Sequence, residues 1–381
     1  MTACAIETAA GDGDVLWPTP AGPGGFTITA NGAYAARLAG SGDALYVERW
    51  TLDGPEPYAV PLPLAQPEEP GALLCPLADG RVLIGRAVDG HRYTFSLLYP
   101  TGPETGELAL GAVEAPGPGR LVLLPPSPDG ICAYALCVGT DTTTLWLVAG
   151  GAFGPEQVAR IPGRCTGGVW LDRTGRILAL DRQPADGGPV KAVTIDLERG
   201  GEVTPLLQIT EESNDRLLLA DPDSGLLLIR SDAPSPGHDR LGWGVLGSLL
   251  PVRFPDCLRL DDAAVTPFAV QPGQVLTPES CAVALRIDAA SGSWVGTWRP
   301  SGRRMRQSAV PTGWLAGAGL WTASGVLRLP YATAGVPCGL AALAEPDEEP
   351  PPETEPAPPE PRVCRPVPLQ QAPLTDRKPA G

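Results

Sequence analysis

Apolar positions along this chain come in short runs rather than long stripes. "ALYVERWTL", "RYTFSLLY", "TTLWLVA" and "KAVTIDL" mix apolar, β-branched and aromatic side chains, and turn residues interrupt them. Turn-bounded runs of this kind predict β-strands. The stretch Pro76–Arg86, "PLADGRVLIGR", reads as the end of one strand, a tight Asp-Gly turn and the start of the next. Near-copies of that hairpin place a turn glycine at Gly32, Gly80, Gly130, Gly175, Gly225 and Gly273, with a weaker copy at Gly319. Successive glycines are 45–50 residues apart. A second mark, at Gly54, Gly102, Gly151, Gly200 and Gly247, trails the first by 21–25 residues. Each unit therefore holds two turns at fixed offsets and four predicted strands. After "CAVALRID" the turn falls at Gly292 or Gly302, so six complete units plus a degenerate one stays open beside seven.

A four-stranded unit of this length, repeated about seven times, resembles the β-propeller superfamily. The "SPDG" turn at Ser127–Gly130 is similar to the turn of TolB-type and WD40-like bacterial propellers. There is no Trp-Asp series and no kelch double glycine, so no particular family follows and no catalytic residue carries over. The resemblance implies an all-β β-propeller over 1–344, with seven four-stranded blades. Outer strands are predicted at "YAVPLPL", "LALGAV", "QVARIP", "TPLLQI" and "LLPVRFP". "DVLWPTP" (Asp14–Pro20) matches that slot with no blade before it, which predicts that the N-terminal strand closes the last blade and covers its free edge.

Composition agrees with short strands and frequent turns. The 381 residues include 47 glycines and 46 prolines, which disfavour long helices. Only Lys191 and Lys378 are lysine, an arginine bias expected of a high-GC bacterium. From Glu345 the sequence turns to Pro and Glu, and residues 345–381 are expected to be a disordered acidic tail. Within it Arg362, Val363, Arg365, Val367, Leu369 and Leu374 form an apolar and basic patch, a candidate docking peptide.

The net charge of −15 leaves about −11 on the body once the tail is set aside, which argues against nucleic acid and anionic membranes as partners. No stretch approaches a membrane span, and "MTACAIETAAGDGD" does not look like a signal peptide. A cytoplasmic location with reduced thiols is therefore expected. The nine cysteines include no CxxC pair; Cys132 and Cys137 are predicted on opposite faces of a strand, and most cysteines are expected to be buried and inert.

Candidate chemistry is sparse. With only His91 and His238, a histidine acid–base pair or histidine metal site has little to build on. Asn31 and Asn214 are the only asparagines, which leaves a calcium cage poorly supplied. Asp261 and Asp262 are adjacent and would diverge in a strand. No cofactor is implied. Arginine is more suggestive: Arg37, Arg86, Arg182 and Arg230 end the second predicted strand of four units and form a candidate rim for an anion or acidic partner. The simpler reading pairs them with nearby acids such as Asp181 and Asp89.

The expected function is a non-enzymatic, monomeric scaffold for protein–protein interaction, which the resemblance extends to possible AAA+ ATPase or von Willebrand-type partners. The alternatives are a lyase or hydrolase with a central-cleft site, and a sensor of an anionic small ligand.

Overall fold

The computed structural model describes residues 25–115 and 119–344. Its strands form seven antiparallel sheets in chain order. The first is β1 (Thr27–Ile28), β2 (Tyr34–Ala39), β3 (Tyr46–Thr51) and β4 (Tyr58–Leu62); the second is β5 (Leu73–Pro76), β6 (Val82–Ala87), β7 (Arg92–Pro100) and β8 (Thr105–Glu114). The third is β9 (Arg120–Leu123), β10 (Ala133–Val138), β11 (Thr142–Ala149) and β12 (Glu156–Pro162); the fourth is β13 (Arg164–Trp170), β14 (Ile177–Gln183), β15 (Lys191–Asp196) and β16 (Glu202–Leu207). The fifth has β17 (Asp215–Ala220), β18 (Leu226–Ser231) and β19 (Arg240–Val245). The sixth has β20 (Ala263–Val270), β21 (Val283–Ala289), β22 (Gly292–Trp298) and β23 (Arg306–Ser308); the seventh has β24 (Leu320–Trp321), β25 (Val326–Tyr331) and β26 (Gly339–Ala344). Among the described residues no helix is long and apolar enough to cross a membrane.

Apolar residues on both faces of each blade pack against the blades before and after, and a separate core cluster fills each junction. Ala36, Val47 and Leu62 of the first blade meet Val82, Ile84 and Leu98 of the second. Comparable clusters join the following pairs in order through Phe95 and Leu121, Leu145 and Trp170, Ala192 and Ile229, Trp243 and Leu285, and Val295 and Trp321. The ring closes where Ala35, Trp50 and Leu52 of the first blade pack against Leu315, Ala332 and Leu340 of the seventh. Burying one large side chain in such a junction is worth about 1.5–3 kcal/mol. The predicted strand at Asp14–Pro20 lies outside the described residues, as does the tail patch from Arg362 to Leu374.

Several local expectations are corrected. The seventh hairpin turns at Gly325 (φ +83°), between β24 and β25, and not at Gly319. Gly319 instead answers a packing demand, since a Cβ there would lie 2.5 Å from the Phe268 ring. In the sixth blade the turn at Gly273 runs on to Ala282 through a short 3-10 turn at Pro278–Ser280, so "QVLTP" is loop. Both marks after "CAVALRID" are used: Gly292 follows the turn between β21 and β22, and Gly302 lies between β22 and β23. The predicted outer strand "LLPVRFP" is reduced to one bridge, Trp243 to Arg253. Pro251 and Pro255 flank that bridge, and proline has no N–H with which to extend a ladder.

The repeated turn has a common local cause. An Asp or Asn side chain accepts backbone N–H groups across it: Asp79 from Arg81 (3.0 Å), Asp129 from Ile131 and Cys132 (2.8 and 2.9 Å), and Asn31 from Ala33 (3.1 Å). The turns also touch one another around one face of the ring. Ala78 N–H donates to Gly130 O (2.9 Å), Arg173 pairs with Asp223, Gly273 N–H donates to Asp223 (2.9 Å), and Gln271 donates to Ala323 O (3.0 Å).

Candidate functional site

The first–second and third–fourth turns of every antiparallel blade lie at one edge of the sheet, and the second–third loops lie at the other. The four candidate rim arginines stand at the loop edge, as expected from their place at the ends of second strands. Their surroundings differ. Arg37 Nε donates to Glu48 Oε2 (2.6 Å) and its guanidinium lies over the Trp50 ring, 5.2 Å from the centroid. Trp50 Nε1 donates to the same Glu48 oxygen (2.8 Å), so one buried carboxylate serves both. Arg86 makes a two-pronged contact with Glu68 (2.8 and 2.7 Å) and a third bond to Glu107 (2.7 Å). The Glu68 hydrogen bonds hold the Arg86 cation well above its ordinary range against the opposing effect of burial. Among the described residues no side-chain hydrogen bond or ion pair engages Arg182. Among the described residues the Arg230 side chain donates to the backbone oxygen of Val265 (3.4 Å). Asp89 and Asp181 thus partner neither Arg37 nor Arg86; glutamates do. The four arginines share no acceptor.

They also face different junctions. Arg86 alternates with Val82 and Ile84, which pack on the preceding blade, and Arg182 alternates with Leu178 and Leu180, which do the same. Arg230 alternates with Leu226 and Leu228, which pack on the following blade. Similar sequence offsets therefore do not give these side chains a common direction.

Two groups stand beside Arg230: Arg216, which the sequence did not single out, and Asp181, which it offered as an arginine partner. Arg216, on the innermost strand β17, is the register partner of Arg230. Its Nη1 lies 3.9 Å from Asp181 Oδ2. Asp181 is 5% exposed, and among the described residues its carboxylate accepts one hydrogen bond, from the Leu217 N–H (2.9 Å). Burial pushes its carboxyl up to about 7, despite that donor and the nearby Arg216 and Arg230. Burial likewise lowers the Arg230 cation, with Arg216 adding to the effect and Asp239 and Asp181 opposing it. The signal that could have found Arg216 is its place directly across from Arg230, which needs strand register and not sequence spacing.

A second charged cluster is closed. Asp215, fully buried, accepts from Lys191 Nζ (2.8 Å), the Ser231 hydroxyl (2.6 Å), the Ser213 hydroxyl and the Ile209 N–H (2.9 Å). With its lone pairs satisfied it ties the fourth blade to the fifth. Elsewhere Asp261 and Asp262 are exposed, and Asp261 lies 3.4 Å from Arg259. His91 and His238 stand in exposed loops. Seven described cysteines are free; burial pushes the Cys75 thiol up to about 12, and those of Cys165, Cys281 and Cys338 to about 11. These thiols stay protonated near neutral pH and are poor nucleophiles. Among the described residues no cluster of three or more His, Cys, Asp or Glu could hold a metal.

The turn face carries a different kind of surface. Phe153 in the third blade is 96% exposed, and Leu249 and Leu250 in the fifth are fully and largely exposed. Val275 and Leu276 in the sixth and Ile131 in the third are also exposed. By contrast, the second–third loops expose Val88 and Val336. Backbone bonds tie the apolar turns: within the fifth blade Leu246 N–H donates to Gly225 O (2.8 Å), and Leu276 N–H of the sixth donates to Asp223 O of the fifth (3.2 Å). Leu276 has φ +54°, a left-handed conformation that a leucine adopts at a cost, while its side chain stays in solvent.

No family model matches the chain. No curated protein matches it either. Solved structures do. An oligogalacturonate lyase from Vibrio parahaemolyticus aligns at 10% identity with a TM-score of 0.53, covering 84% of this chain and 89% of that one. Prolyl oligopeptidase B from Galerina marginata aligns at 11% identity and TM-score 0.54, covering 85% of this chain and 49% of its own, so this chain spans about half of that enzyme. TolB from Acinetobacter baumannii aligns at 11% identity and TM-score 0.42, over 83% and 81% of the two chains. At such identities the likeness concerns architecture alone. Taken with the seven packed blades, the likeness to the lyase and the oligopeptidase shows a β-propeller fold.

Proposed function

We propose that the protein is a non-enzymatic platform that binds partner proteins on its turn face. The observation that supports this most is the collection of exposed large apolar side chains on those turns. Exposed apolar residues gathered on one surface mark protein contact sites far more often than scattered ones do. The ring behind them is rigid, because every blade is locked to the next by its own core cluster and the turns are themselves linked. A rigid disc loses little conformational entropy when it docks, which favours recognition. The AAA+ ATPase or von Willebrand-type partners expected from the propeller resemblance remain part of this proposal, as do a cytoplasmic location and a monomeric ring.

The test is affinity capture with the full chain from the source organism, followed by rebinding of the captured protein in purified form. A saturable complex with Kd below about 10 μM is expected, in the range of ordinary transient protein contacts. Absence of any partner that rebinds in purified form would count against the platform reading.

A further inference from the structure

We propose that Arg216 and Arg230 form a receptor for the oxyanion of a small ligand, a carboxylate or a phosphate. Among the described residues neither arginine has a carboxylate oxygen within 3 Å. Arg37, Arg86 and Arg176 each have a carboxylate oxygen within 3 Å. Arg216 and Arg230 are register partners on adjacent strands, β17 and β18, so their side chains leave the same face of the fifth blade. Like charges directly opposite are destabilising unless something negative lies between or beside them. The available acid is Asp181, and it is 3.9 Å from Arg216, beyond good hydrogen-bonding distance. Asp239 reaches Arg230 only through space, from an exposed loop. Asp181 itself is nearly buried and carries only part of its charge at neutral pH. The local balance is two half-buried cations against a weakened carboxylate, inside a chain whose overall charge is −15.

Two guanidiniums rising from register-paired positions offer N–H donors suited to a planar or tetrahedral oxyanion. Arg216 is the second residue of the innermost strand of its blade and remains 22% exposed, so the site is open to solvent at the loop edge, on the side of the ring away from the apolar turns. This receptor is independent of the turn-face reading, and its test uses no partner protein.

The experiment is calorimetric titration of the full chain with inorganic phosphate and, separately, with succinate, at constant ionic strength maintained with chloride. Saturable binding of at least one probe is expected. Arg216→Gln should weaken it about tenfold, the scale of losing one charge-assisted contact. Asp181→Asn keeps the shape and the acceptor for Leu217 but removes the competing charge, so it should tighten binding severalfold. Preference for phosphate or for succinate then identifies the oxyanion. No saturable heat above chloride with either probe would overturn the proposal, and so would affinities unchanged in both variants. Because Asp181→Asn is isosteric, the test survives if Arg216→Gln folds poorly.

Discussion

Asp181 gives the molecule a defined pH signature. An unperturbed aspartate titrates near 3.9, whereas burial holds this one at about 7 in the folded chain. Between those values the folded state keeps a proton that the unfolded state has released. Stability should therefore fall as pH rises through that window and level off above it. Asp181→Asn cannot ionise and retains an oxygen for the Leu217 N–H. Urea denaturation should show the variant gaining about 1–3 kcal/mol relative to wild type between pH 5 and pH 8. A constant difference across that range would show that the carboxyl titrates normally. Glu68 acts on stability through its pairing with Arg86. Its side chain is 5% exposed and grips Arg86 at two points, so Glu68→Gln leaves a partly buried guanidinium short of its counter-charge. A loss of about 1–3 kcal/mol is expected by urea denaturation, below the full cost of a buried pair because Arg86 is partly solvated. A variant as stable as wild type would mean that the pair contributes nothing net. Removing Arg37 or Arg86 to probe ligand binding is confounded for the same reason, since each is bonded to a buried glutamate.

At the scale of the hairpin, the Asp-Gly turn is a spacer that two blades share. Gly130 has φ +71°, and a Cβ there would lie 2.4 Å from the Ala78 Cβ of the neighbouring turn. Gly130→Ala should therefore lower stability by roughly 2 kcal/mol, combining left-handed strain with the clash. Thermal unfolding would read this as a drop of a few degrees, and an unchanged midpoint would show that the turns are not in firm contact. This turn explains why so much of the fold was legible. Its Asx hydrogen bonds and its glycine are local, so each copy announces itself within a few residues. Legibility failed where the cause was distant. The sixth blade's turn is stretched by the segment from Gly273 to Ala282, and Gly319 imitated a turn glycine because Phe268, in another blade, needed the room. The outer strand of the fifth blade looked like its counterparts until Pro251 and Pro255 were set against the ladder. The arginine partners were hidden for a similar reason. Glu48 lies across a strand pair, and Glu68 lies in the connection from the preceding blade, so neither follows from position in the repeat.

For the whole ring, topology separates the two edges in a way that linear sequence conceals. "GSLLP", "GAFGP" and "GQVLTP" are far apart in the chain, yet their turns all belong to one face. Arg216, Arg230 and Asp181 belong to the other end of the blades. Each of the two proposed sites stands on its own observations and fails on its own test. The turn face is the central claim, and resolving binding by face tests it most directly. Affinity for the captured partner should be measured for Phe153→Asp/Leu249→Asp on the turn face and for Val88→Asp/Val336→Asp on the loop face, with folding checked by thermal unfolding. All four side chains are exposed, so stability should change by less than about 0.5 kcal/mol. The account predicts a loss of affinity of tenfold or more for the first pair and little change for the second. Full affinity in the turn-face variant, with loss in the loop-face variant, would contradict it.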